Sequence, residues 1–218
     1  MELVNPMCPR LFAAFALTLS VAAAPPLLAS SHKIPPPKDA ATYTCHAAHP
    51  NEHVTIAAEP YDTPEKGKLF RVDFLENGFM PIYLVVTNGG DQPISLDQAR
   101  IDFLSAHDDR IPAAVPRDVE RRMTHIHGAG ARIPLPAPLP PIRKKPKSPD
   151  KKIEQDFNDL EYSDATVPPH STRAGFFFYD VQGLGDHPLK GAHLTLRDLR
   201  NSSGNALVDF DISFDKCL

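Results

Sequence analysis

Few residues in this chain have types and spacing that could do chemistry, and the stretch MTHIHGAG, Met123 to Gly130, holds the clearest pair. His125 and His127 are one residue apart. On a strand they would share a face, the usual geometry of a two-histidine metal clamp. Zinc or copper would suit such imidazoles, given further ligands. On a helix the same positions lie about 200° apart around the axis and cannot converge on one ion. Val119, Met123 and Ile126 fall at helical spacing, and Pro116 is tolerated in a first turn. A helix is therefore expected to run to about Ile126, with Gly128 as its C-terminal cap. Histidines in a last turn sit well against the carbonyl end of the helix dipole. Metal binding by His125 and His127 stands as the alternative to a helix end, and no cofactor is expected.

A second feature is basic. Arg143, Lys144, Lys145, Lys147, Lys151 and Lys152 lie in or beside IPLPAPLPPIRKKPKSPDKK, where seven prolines fall between Pro134 and Pro149. Proline at this density favours an extended, water-exposed polyproline-like segment. Pro138 to Arg143 has the spacing of a PxxP ligand followed by a cation. The six cations are candidates for contact with an anionic envelope component or another envelope protein, peripherally at a membrane if at all. The competing reading is a solvated, self-repelling loop.

Other chemistry is thinly represented. Asp209, Asp211 and Asp215 lack the glycine-centred loop of a calcium site, and alternation on a strand with a solvent face accounts for them. Asn201-Ser202-Ser203 fits a glycosylation acceptor and a polar turn equally. A nucleophile elbow, a zincin helix and a Cys/His pair are missing from the sequence, so an enzyme is not expected. The net charge of −4 and 23% charged residues carry no signature of nucleic-acid binding.

The elements that must position these residues begin with an export signal. Arg10 precedes the apolar run LFAAFALTLSVAAAPPLLAS, and residues 1–29 are read as a signal peptide cut after Ala29. Uncleaved, the run would anchor the chain in a membrane, although Pro25 and Pro26 interrupt it. Periplasmic or secreted placement follows, and Cys8 leaves with the signal. Cys45 and Cys217 remain as an even pair, expected to bridge in an oxidising compartment.

Residues 30–42 read as a linker and 43–218 as one domain. Strands are expected in HVTIAAEPY, LFRVDFL and FMPIYLVV. More follow in ISL after an Asn88-Gly89-Gly90-Asp91 turn, and in ARIDFL, TRAGFFFYDV, AHLTLRDL and the alternating stretch from Leu207 to Phe214. Between the two batches, about 107–165, lies an insertion of helix, Pro-rich loop and helix. Ile153, Phe157 and Leu160 line one face of the second helix, which Ser148 and Pro149 would start. The fold class expected is mainly β: an antiparallel sandwich of seven or eight strands, with two short helices flanking the loop.

The stretch LFRVDFLENGFMPIYLVVTNGGDQPISLDQARIDFL resembles a pattern of uncharacterised exported bacterial proteins with an immunoglobulin-like β-sandwich. ATVPPHSTRAGFFFYDV is similar to their element of proline, Ser/Thr, glycine and aromatic strand. The resemblance implies strand and turn geometry and carries no catalytic residues with it.

Overall fold

The computed structural model describes residues 33–128 and 151–217, with backbone alone for 123–128. The expected signal segment lies outside the described residues. Among them run eleven strands: β1 (His46–His49), β2 (Val54–Pro60), β3 (Phe79–Asn88), β4 (Ile94–Ser95), β5 (Arg100–Leu104), β6 (Arg110–Pro112), β7 (Thr166–Val167), β8 (Ser171–Asp180), β9 (His193–Arg197), β10 (Arg200–Asn201) and β11 (Phe210–Ser213). The helices are α1 (Pro64–Gly67), α2 (Pro116–Gly128) and α3 (Lys151–Leu160). One sheet has the order β1-β2-β3-β8 and a second β11-β9-β5-β6. A small sheet, β10-β4-β7, completes the set, and every pairing is antiparallel. The molecule is thus mainly β and sandwich-like.

The near-continuous apolar run of β3 is what a strand buried on both faces requires. Met80, Ile82, Leu84 and Val86 point to one side, with Val54 and Ile56 of β2 and Tyr179 of β8. There they meet Phe103, Leu194, Leu196, Phe210 and Ile212 of the second sheet. Phe79, Tyr83 and Val85 point the other way with Phe176 and Phe178 and enter a second core. That core is closed by Phe70 and Phe74, by Val119 of α2, and by Ile153, Phe157 and Leu160 of α3. The first sheet is therefore the middle of three layers.

Four expectations change in detail. LFRVDFL is a run of turns and not a strand, because its aromatic residues are held over the first sheet by turn hydrogen bonds such as Phe79 N–H to Phe74 O, 2.9 Å. The linker is, from Lys33, laid across the second core: Ala40 is buried, and Tyr83 Oη donates to Pro35 O at 2.7 Å. The Asn88 turn is present, but β3 and β4 join different sheets. Asn88 is buried there, with Nδ2 donating to Gln92 O (2.7 Å) and Oδ1 accepting from Gly90 N–H (3.0 Å). In the last stretch, Phe210, Ile212 and Phe214 face inward as expected, whereas Val208 is 65% exposed.

Both sides of the sandwich are partly covered. On one, Ala114 N–H donates to Phe178 O (2.7 Å) and Tyr162 N–H to Phe176 O (3.1 Å), which covers part of the outer edge of β8. On the other, the His49 ring stacks on Phe210 with centroids 3.9 Å apart, and Cys45 is joined to Cys217. Blocking edges in this way limits strand-to-strand association with other chains.

Gly175 makes the first closure possible. A Cβ on it would lie 2.3 Å from Tyr162 Cα and 2.6 Å from Tyr162 N, both of them backbone atoms that cannot swing aside. Gly175→Ala is expected to cost about 3 kcal/mol through overpacking. Gly67→Ala, where the added carbon meets nothing within 4 Å, is the control and should be close to neutral. Urea midpoints of the two variants test this. Equal midpoints would show that the segment at Tyr162 yields freely.

Candidate functional site

Among the described residues, the helical layer carries His125 and His127 on α2 and Lys151 and Lys152 on α3. On α3 the apolar positions Ile153, Phe157 and Leu160 share a stripe, as their spacing predicts, and all three are buried. Asp156 lies in the same stripe and is fully buried. A charge at such a position must be paired and hydrogen-bonded. Its Oδ2 accepts from the backbone N–H of Arg71 (2.8 Å) and Val72 (3.2 Å), and its Oδ1 from Arg71 Nη1 (2.9 Å). Arg71 also donates to Asp159, one turn further on. Burial pushes the Asp156 carboxyl above its usual pKa, while the Arg71 guanidinium and the two N–H groups pull the other way. The arrangement clamps α3 to the turn segment holding Phe70 and Phe74. Sequence reasoning missed it, although an aspartate inside an apolar helical stripe was a visible signal.

The first turns of α2 and α3 meet around a shallow depression lined by Pro116, Arg117, Glu120, Ile153 and Glu154. Lys151 and Lys152 are exposed at the start of α3. Arg143, Lys144, Lys145 and Lys147 lie outside the described residues. The described part of this surface is of mixed charge, since Glu120 and Glu154 stand beside the cations.

The α2 backbone is helical through His125, His127 and Gly128, so the helix runs slightly further than its predicted end at Ile126. The side chains of His125 and His127 lie outside the described residues; their positions are two steps apart on a helix, about 200° around its axis. Other histidines have partners of their own. His170 Nε2 lies 2.9 Å from an Asp91 oxygen, His193 Nδ1 2.7 Å from Asp211, and His46 Nδ1 2.7 Å from Tyr43 O. Among the described residues no three His, Cys, Asp or Glu side chains converge to hold a metal ion. Of the terminal aspartates, Asp211 faces His193 and Asp215 accepts from Gly191 N–H at 2.8 Å. Asn201 Oδ1 accepts from the N–H of Ser203 and of Asn205, both at 3.0 Å, which is the polar turn.

Beside the disulfide is a polar cleft of about 390 Å³, with Lys38, Thr42, Tyr43, Glu59, Asp62 and Lys66 among its lining residues. Lys66 spans its wall, 3.1 Å from Glu59 and donating to Pro60 O at 2.8 Å. The neighbouring Tyr61 is kept a phenol: burial first, then the charge of Glu59, push its pKa up to about 12. Within the cleft wall, Lys66 and Glu59 thus serve one another. No helix among the described residues is long and apolar enough to cross a membrane. Compared with protein-family models, curated proteins and solved structures, the chain matches none of them.

Proposed function

We propose that this chain is an exported, non-catalytic binding or structural module of the cell envelope, built on an immunoglobulin-like β-sandwich. The observation that carries the reading is how the insertion is seated. Val119 on one side of it and Ile153, Phe157 and Leu160 on the other are buried in the second core, and Asp156 is buried on the same helix. The described elements on either side of the insertion, α2 and α3, are thus packed on a rigid scaffold, the setting in which binding segments are commonly carried. Lys151 and Lys152 stand exposed where the chain rejoins it. The partner we favour is an anionic envelope component or another envelope protein, contacted by these two and by Arg143, Lys144, Lys145 and Lys147. The apolar N-terminal segment delivers the domain to the periplasm or the medium, or tethers it if uncleaved.

Deleting residues 132–149 tests this directly. The variant is expected to keep its urea midpoint and to lose capture of partners from envelope extracts. Capture that persists, or that does not weaken with added salt, would remove the basic insertion as the contact surface.

A further inference from the structure

On one flank β1, an edge of the first sheet, runs beside β11, an edge of the second. β1 takes its ladder from β2 and β11 from β9, so the flank is a seam between two sheets. Side chains tie it. The His49 ring stacks on Phe210, Glu52 Oε1 accepts from Val208 N–H at 2.8 Å, and Cys45 is bonded to Cys217. At the disulfide the seam opens into the 390 Å³ polar cleft, and both cysteines are among its lining residues. Cys45 is 2% exposed, whereas Cys217 is half-buried. Thiol exchange needs direct approach to a sulfur, so Cys217 is the one a thiolate in the cleft would attack.

Each half of the bridge is also held without it. Ala58 N–H donates to Cys45 O at 2.9 Å, which fixes Cys45 to the end of β2. On the other side Phe214 is fully buried against Phe103, and its N–H donates to Ala192 O at 3.0 Å. Cys217 N–H donates in turn to Phe214 O at 2.9 Å. Cys45 Sγ lies 3.3 Å from Ser213 O, so a thiol formed there has an acceptor already in place. Burying a polar group is tolerable when it is hydrogen-bonded, and the bridge can therefore open while the domain stays folded.

We propose that the Cys45–Cys217 bridge is a redox latch on this seam, opened in the folded protein by a dithiol entering through the cleft. A thiolate of the dithiol attacks Cys217 Sγ and forms a mixed disulfide. The Cys45–Cys217 bond breaks, and its electron pair leaves with Cys45 Sγ, which takes a proton from water. The second thiol of the reductant then displaces Cys217 as a thiol. The protein has gained two electrons and two protons, and the dithiol has become a disulfide. With the latch open, β1 and β11 are left with the His49 stack and the Glu52 hydrogen bond. The flank then loosens around Leu189 and Phe214, the buried apolar part of the cleft lining. The latch does not depend on partner binding at the insertion.

The test is dithiothreitol added to the full native chain without urea and at urea concentrations below the unfolding transition. Samples are quenched with N-ethylmaleimide and read by mass. Opening is expected without urea, at a rate proportional to dithiothreitol and changed less than about twofold by low urea. Hydrogen exchange of the reduced chain should then be at least about tenfold faster over 43–49 and 207–217, with β3 and β8 unchanged. Opening that requires urea, or whose rate climbs with urea as global unfolding does, overturns the proposal. So does exchange that rises equally in β3 and β8, or that does not rise along the seam.

Discussion

Removing the disulfide, as Cys45→Ala with Cys217→Ala, is expected to lower stability by up to about 5 kcal/mol, the value that loop-closure entropy assigns to so long a loop. The bridged residues are 172 apart in sequence, so in the unfolded chain the link restrains nearly the whole domain. Their Cα atoms are 5.6 Å apart, within the ordinary range for a bridge. Cys45 is buried, so losing it also opens the packing between the chain before β1 and the end of β11. Urea unfolding with and without reductant measures the effect. The native chain should unfold at markedly lower urea when reduced, and the double variant should ignore the reductant. Identical midpoints for native and double-variant chains would mean that native-state distortion cancels the entropic gain.

The second large effect is at Asp156. Asp156→Ala leaves the N–H groups of Arg71 and Val72 without their acceptor and the guanidinium with Asp159 alone. Breaking one side of a buried ion pair costs about 3–5 kcal/mol. Asp156→Asn keeps an acceptor oxygen and should cost less. In a double-mutant cycle, Arg71→Ala on top of Asp156→Ala should add less than it does alone, since the partner is already gone. Additive losses would show that the two side chains act separately. The same variant should sensitise the insertion to protease, because α3 is then held by its apolar stripe only.

How much of this was legible in the sequence depends on what each residue must touch. β3, β8, β9 and β11 were readable because alternation or an unbroken apolar run reflects sheet burial directly. The helix stripes at Val119 and at Ile153, Phe157 and Leu160 were readable for the same reason. LFRVDFL defeated that reasoning. Its Phe70 and Phe74 are as apolar as a strand demands, yet they cover a sheet face and join no ladder. Periodicity reports that side chains are buried, not whether the backbone pairs. The linker segment was hard to read for a similar reason: Ile34 and Ala40 are too few to signal packing, and its partners, the hydroxyls of Tyr83 and Thr87, are 48 and 47 residues away.

The order of strands in the two large sheets also sets a clock. Each sheet takes strands from both sides of the insertion: β8 completes the first, and β9 and β11 complete the second. A chain that has emerged only as far as Lys152 has β3 with one edge unmatched and no finished sheet to lay it on. Most native contacts must therefore wait for the C-terminal third. Such distant pairings place folding in the slow, millisecond-to-second class, with apolar surface exposed meanwhile. The demand for protection during synthesis falls on the interval between the two batches of strands.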